Sequence, residues 1–244
     1  MTKRDLFEQQ GYIQLDDFIS EAEARQFEGH IASYLRVIAP NLPKTDVMYD
    51  DYSRPETLKR ISHLEFDPFF DKLRTDSKLT ELARDLLQDD VVPQSMEYFN
   101  KPPGGSATPA HQDGYYFCLT PNEALTFWIP LDNVDDENGA MHYVAGSNHA
   151  GILPHHSSGV IGFSQGLDAT DFTPYGTEVI CAIQRGDALV HHCRTIHLAK
   201  ANLSQRQRRV IGQVYFAKRV KVDPEMKRRY DEALAAQRRA AGVI

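Results

Sequence analysis

Two histidines and an aspartate carry the most legible chemistry of this chain: His111 and Asp113, one residue apart, and His197 far downstream. In an extended segment alternate side chains point the same way, so His111 and Asp113 reach one point while Gln112 faces elsewhere. Two imidazoles and one carboxylate on one face of a cation leave the opposite positions open. That is the donor set with which non-haem Fe(II) sites hold a second ligand and dioxygen. A bare His-x-Asp pair is more often a structural pair on a turn, and His197 taken alone reads as a packed or rim histidine. The metal reading needs all three together.

A cation of another kind follows. Arg208 opens the apolar run from Arg208 to Phe216. A guanidinium at the inner end of a strand is costly unless an anion pairs with it, and its fork matches a carboxylate in bidentate fashion. Arg206 in the preceding loop and Arg209 on the opposite strand parity are the controls, with no such expectation.

These residues need a frame. The chain has 244 residues, 41% hydrophobic and 25% charged, the composition of a globular domain large enough for a substantial core. A net charge of -7 and a pI near 5.8 argue against a nucleic-acid partner. No apolar run approaches membrane-spanning length and the first residues lack a signal-peptide core, so the expected setting is the cytoplasm with no membrane partner. Three cysteines without metal-ligand spacing read as reduced, buried thiols.

The expected organisation is a single domain over 1–244: a largely helical part over 1–90, a β core over 91–218 and a polar C-terminal helix over 223–242. Gly11-Tyr12-Ile13-Gln14-Leu15 reads as a short strand. Ser20 with Glu23 has capping-box spacing for a helix whose apolar stripe is Ala22, Phe27, Ile31, Tyr34 and Leu35. Prolines 40, 43 and 55 predict an irregular segment over 38–58, and the apolar spacing over 68–87 predicts one or two amphipathic helices. Short β-like runs follow at 91–100, 124–131, 140–144, 177–183, 187–192 and 209–216, which indicates a sandwich or barrel rather than alternating β-α units. The charges of the C-terminal helix read as a solvated face.

Taken in order, several segments resemble one family: Gly11 to Leu15 before the Ser20 helix, Asn100-Lys101-Pro102-Pro103-Gly104-Gly105, His111-Gln112-Asp113-Gly114, Leu125 to Asp132, Glu137-Asn138-Gly139, Ala145-Gly146-Ser147, Gly186-Asp187, and His197 followed by Arg208. Over nearly its whole length the chain resembles the phytanoyl-CoA dioxygenase-like Fe(II)/2-oxoglutarate oxygenases. The resemblance implies a mostly β fold with flanking helices, whose core is a double-stranded β-helix or cupin-like jelly roll. It implies His111, Asp113 and His197 as iron ligands, Arg208 as the 2-oxoglutarate anchor, Thr126 and Trp128 as lining of the co-substrate pocket, and Arg60 as a weaker match to an upstream basic contact. Substrate candidates are Tyr115, Tyr116, His155, His156 and His192, each of which also has a plain packing or surface reading. The implied reaction uses Fe(II), 2-oxoglutarate and O2 to hydroxylate a small-molecule substrate. Two competitors stay open: a cupin-like metalloenzyme without a keto acid, and a non-catalytic binding jelly roll. Where many members carry His-Gly-Ser, this chain has His197-Leu198-Ala199, so a hydroxyl contact to the co-substrate is missing. Asp113 is retained where related halogenases carry a small residue, which favours hydroxylation or desaturation over halogenation.

Overall fold

The structure, a computed structural model, describes residues 1–160 and 163–240. Among these, two antiparallel sheets form a jelly roll. The larger sheet orders its strands as Tyr12–Leu15, Ala188–His192, Ala124–Pro130, Arg208–Ala217, Val91–Lys101, Leu58–Ile61 and Val47–Tyr49. The smaller sheet runs Thr177–Cys181, Met141–Ala145, His197–Ala199, Thr108–His111. Strand parity assigns the two faces of the larger sheet. Met96, Tyr98, Phe127, Ile129, Ile211 and Tyr215 pack outward against the helices, while Trp128, Leu189 and Val210 pack inward with Met141 and Tyr143 of the smaller sheet. Burying each such side chain contributes roughly 1.5–3 kcal/mol.

The helices form where their caps and stripes dictate. Thr2 and Asp5 make a reciprocal capping box for Lys3–Gln10, and Gly11 closes that helix in the left-handed region before the strand Tyr12–Leu15 begins. Ser20 and Glu23 cap Glu21–Val37 in the same way, although the buried stripe is Ala24, Phe27, Ile31 and Tyr34, with Ala22 exposed. Two helices, Pro68–Thr75 and Lys78–Leu87, cover the outer face. The segment expected to be irregular contains the strand Val47–Tyr49, which pairs with Leu58–Ile61 and sets Met48 opposite Arg60. The C-terminal helix is described over Pro224–Ala240, and residues 241–242 of its expected span lie outside the described residues. No described helix is long and apolar enough to cross a membrane.

Candidate metal centre and its two chambers

His111 ends the strand Thr108–His111 and His197 opens His197–Ala199. The two are register partners, so the sheet sets the imidazoles side by side with ring centroids 4.1 Å apart. Asp113 joins them by another route than strand alternation. It is the first residue of the short helix Asp113–Phe117, and the strand-to-helix turn at Gln112 aims its carboxylate back at the histidines. Buried Gln112 fixes that turn: its side-chain amide donates to the carbonyls of Gly151 and Arg194 and accepts from the Leu153 N–H. One donor atom each from His111, Asp113 and His197 lies within 4.8 Å of the others.

The hydrogen bonds around the cluster fix which atoms face inward. Asp113 Oδ1 lies 3.6 Å from Nε2 of both His111 and His197. Each Nδ1 faces a backbone carbonyl, that of Pro109 at 2.8 Å and that of Thr195 at 3.0 Å. A carbonyl only accepts, so both rings carry the proton on Nδ1 and keep the Nε2 lone pair for a cation. The second carboxylate oxygen, Oδ2, accepts from the Thr126 hydroxyl at 2.7 Å and from His191 Nε2 at 3.1 Å. His191 Nδ1 in turn accepts from the Tyr143 hydroxyl at 2.9 Å. Burial, reinforced by His111 and His191, holds His197 well below the ordinary imidazole range. At Asp113 burial pushes the carboxyl up, but His197 and the other imidazoles around it prevail and hold it well below the usual carboxylate range. Neutral imidazoles and an ionised carboxylate are the forms that bind a metal.

Two chambers meet at this cluster. The smaller, about 90 Å³, is lined by His111, Asp113, His197, Thr126, Trp128 and Arg208, with Lys59 and Lys101. Arg208 is 5% exposed and its guanidinium lies 5.1 Å from the Trp128 ring centre. Its Nε finds no hydrogen-bond partner among the described residues. Burial pushes that guanidinium down to about 10, with Asp132 opposing. Burial, helped by Arg208 and Lys59, pushes Lys101 down to about 6. An orphaned buried guanidinium beside two lysines fits a bound dicarboxylate. Lys101 Nζ donates to the Lys200 carbonyl at 2.6 Å and lies 3.5 Å from the Ala199 carbonyl, which ties it to the strand end that lacks the hydroxyl.

The larger chamber, about 280 Å³, shares His111, Asp113, Thr126 and Phe99 with the smaller one. Tyr230, Leu234, Gln237 and Arg238 of the helix Pro224–Ala240 roof it. Gly212 forms part of its floor, where a Cβ would come within 2.7 Å of the Phe99 ring.

The other sequence candidates separate by place. Thr126, Trp128 and Arg208 line the small chamber together. Arg60 does not: it lines the larger chamber in an ion pair with Glu97, and its neighbour Lys59 takes the small-chamber side. Among the substrate candidates Tyr116 lines the larger chamber, its hydroxyl donating to the Gln165 carbonyl. Tyr115 turns away and stacks on His155 at 4.3 Å. His155 is a prop rather than a wall, because its Nδ1 donates to the Leu153 carbonyl and its Nε2 accepts from the Gln112 N–H. His156 is exposed and paired with Asp168. His192 has the wrong parity: it packs on Phe7 and accepts from the Arg194 N–H. Its neighbour His191 reaches the cluster instead. Sequence reasoning passed over His191, Tyr143, Lys59 and Lys101, and also the helix that roofs the larger chamber.

A jelly roll holding a His-Asp-His cluster beside a cation-lined pocket defines the architecture of iron- and 2-oxoglutarate-dependent oxygenases. The chain belongs to the phytanoyl-CoA dioxygenase (PhyH) family, whose model matches residues 7–210. It is 29% identical over 160 residues to the bovine (Bos taurus) phytanoyl-CoA dioxygenase domain-containing protein 1, a match covering 63% of this chain and 55% of that relative. It is 26% identical over 210 residues to a probable alpha-ketoglutarate-dependent hypophosphite dioxygenase of Stutzerimonas stutzeri, covering 82% of this chain and 73% of the relative. Among solved structures, EvdO2 from Micromonospora carbonacea var. aurantiaca complexed with 2-oxoglutarate aligns with a TM-score of 0.70 and 25% identity, covering 91% of this chain and 92% of that one.

Proposed function

We propose that this protein is a non-haem Fe(II)- and 2-oxoglutarate-dependent dioxygenase that hydroxylates an unactivated C–H bond of a small-molecule metabolite. His111, Asp113 and His197 would hold the iron, and Arg208, with Thr126 and Trp128 beside it, would hold 2-oxoglutarate. The observation that carries this reading is the placing of the triad between the two chambers, with the unpartnered Arg208 in the smaller one. When bound, iron with O2 and 2-oxoglutarate supplies the oxidant for the C–H bond, and the keto acid leaves as succinate and CO2.

The protein's contribution is placement and charge. Thr126 and His191 occupy Asp113 Oδ2, so Oδ1 is the oxygen turned to the histidines and the one that would be offered to the iron. Arg208 fixes the far carboxylate of the co-substrate, and Trp128 keeps water from that pair. Phe99, Phe117 and Val214 present an apolar wall that holds the reacting carbon near the triad without offering it a proton. A cupin-like enzyme without a keto acid would leave the burial of Arg208 uncompensated, as would an empty binding module. The relative from Stutzerimonas stutzeri is named for a small substrate, hypophosphite, in keeping with a chamber of about 280 Å³. The three cysteines are free and buried, which supports a cytoplasmic setting.

Anaerobic addition of Fe(II) and 2-oxoglutarate should produce a weak visible charge-transfer band, and air should then release succinate. Arg208→Ala should weaken 2-oxoglutarate binding by about 30-fold or more, since truncating one side of a buried charged pair costs roughly 2–5 kcal/mol. Absence of the band, or unchanged affinity in the variant, would overturn the reading.

A further inference from the structure

The larger chamber holds more positive charge than the proposed metal chemistry uses. Its charged lining groups are Asp113, Arg60, Glu97 and Arg238. Asp113 is committed to the metal centre. Arg60 and Glu97 form an ion pair, and Glu97 accepts a further hydrogen bond from the Ser62 hydroxyl at 3.2 Å. Arg238 is left over. It stands on the last turn of the roof helix Pro224–Ala240, and its Nε is buried with no hydrogen-bond partner among the described residues. A guanidinium nitrogen shut away from water is costly unless something accepts its proton. Among the described residues the walls offer no acceptor of full charge for it, because Phe99, Phe117, Val160, Val214 and Leu234 are apolar and Glu97 is already engaged.

We propose that the larger chamber takes a small organic acid, an apolar body ending in one carboxylate that Arg238 grips from the roof beside the Arg60–Glu97 pair. The fork of the guanidinium selects a planar acid. The apolar walls then direct the body of the molecule toward His111 and Asp113, so the oxidised carbon lies away from the carboxylate. The roof helix is thereby part of the recognition site, with Tyr230 fixed over the chamber by an edge contact to Tyr116 and a 3.2 Å hydrogen bond to the Ser164 hydroxyl. This assignment rests on the reading of the metal centre given above.

The test uses hexanoate, octanoate and phenylacetate as probes, each against its primary amide. Binding is measured by calorimetry on the full chain, once loaded anaerobically with Fe(II) and 2-oxoglutarate and once metal-free. The acids should bind at least about tenfold tighter than the amides, the scale of a charge-assisted hydrogen bond. Arg238→Gln should abolish that preference and leave the 2-oxoglutarate band unchanged, while Arg238→Lys should restore part of it. Leu234→Trp, which fills the chamber but keeps the guanidinium, should abolish binding of acids and amides together. Amides binding as well as acids, no binding of either set, acid preference surviving in Arg238→Gln, or acid binding surviving in Leu234→Trp would each overturn the proposal. Absence of the visible band with acid preference intact would count against the metal-centre reading alone and leave the acid site supported.

Discussion

The two oxygens of Asp113 do different work, and the residue that separates them is His191. Its Nε2–H and the Thr126 hydroxyl hold Oδ2, and Tyr143 fixes the His191 tautomer from behind. Replacing His191 with Phe keeps an aromatic ring but leaves Oδ2 with the Thr126 hydroxyl alone, so Fe(II) affinity should fall by about 10–100-fold, the usual cost of losing a partner that orients a metal ligand. Competition with a chromophoric chelator measures this, and an unchanged affinity would show that Asp113 is held well enough without it. The sequence pointed to His192 instead. Every residue of Ala188–His192 is buried, so the strand shows no alternation from which to read which histidine faces the cluster. Spacing alone left His111, Asp113 and His197 with plain structural readings, and only the resemblance joined them. The structure brings their donor atoms together, with Arg208, whose strand-end place had suggested an anion, in the chamber beside them. Arg209 was set apart from Arg208 by parity. The structure puts Arg209 with Asp132 and Glu28, outside both chambers.

Among the elements, the helix Pro224–Ala240 departs most from its sequence reading. None of its described residues is fully buried, so its composition reads as a solvated surface. Its chamber side is built of half-buried residues, Tyr230, Leu234, Gln237 and Arg238, spaced so that they share one face. Periodicity scales that reward apolar stripes pass over such a face. Because it contributes little to the core, a chain ending before Pro224 should retain the cooperative unfolding transition of the rest. It should also keep the 2-oxoglutarate band while losing the cover that excludes water from the larger chamber. Succinate released per product formed should then rise by about tenfold. A coupling ratio equal to that of the full chain would remove the helix from the active site. Other elements were easier to read. The runs near 91–100 and 124–131 emerge as Val91–Lys101 and Ala124–Pro130, because β-branched and aromatic residues bounded by turn formers leave few alternatives. The strand Val47–Tyr49 was hidden by its short length and the prolines around it.

Across the whole molecule, burial of neutral histidines makes the native state sensitive to acid. Burial pushes His192 down to about 3 and His155 down to about 4, both below the ordinary imidazole value of about 6.5. Between those values and about 6.5 the unfolded chain binds protons that the native chain refuses. Stability is therefore complete above about pH 6.5 and declines as the pH drops, with a slope approaching 1.4 kcal/mol per pH unit for each histidine, roughly. The contribution of His155 is spent near pH 4 and that of His192 near pH 3. Urea midpoints taken between about pH 7 and pH 5 should fall accordingly, and less so in a His192→Phe variant. A flat profile would mean that these rings gain protons without unfolding.

The bare floor at Gly212 bears on any attempt to redesign the pocket. The Phe99 ring lies where a methyl group on that residue would go, and Phe99 borders both chambers. Enlarging position 212 would shift a shared partition, so accommodation of the keto acid and of its reaction partner would change in a single stroke. Leu234 and Val160 border only the larger space, and independent tuning of selectivity belongs there.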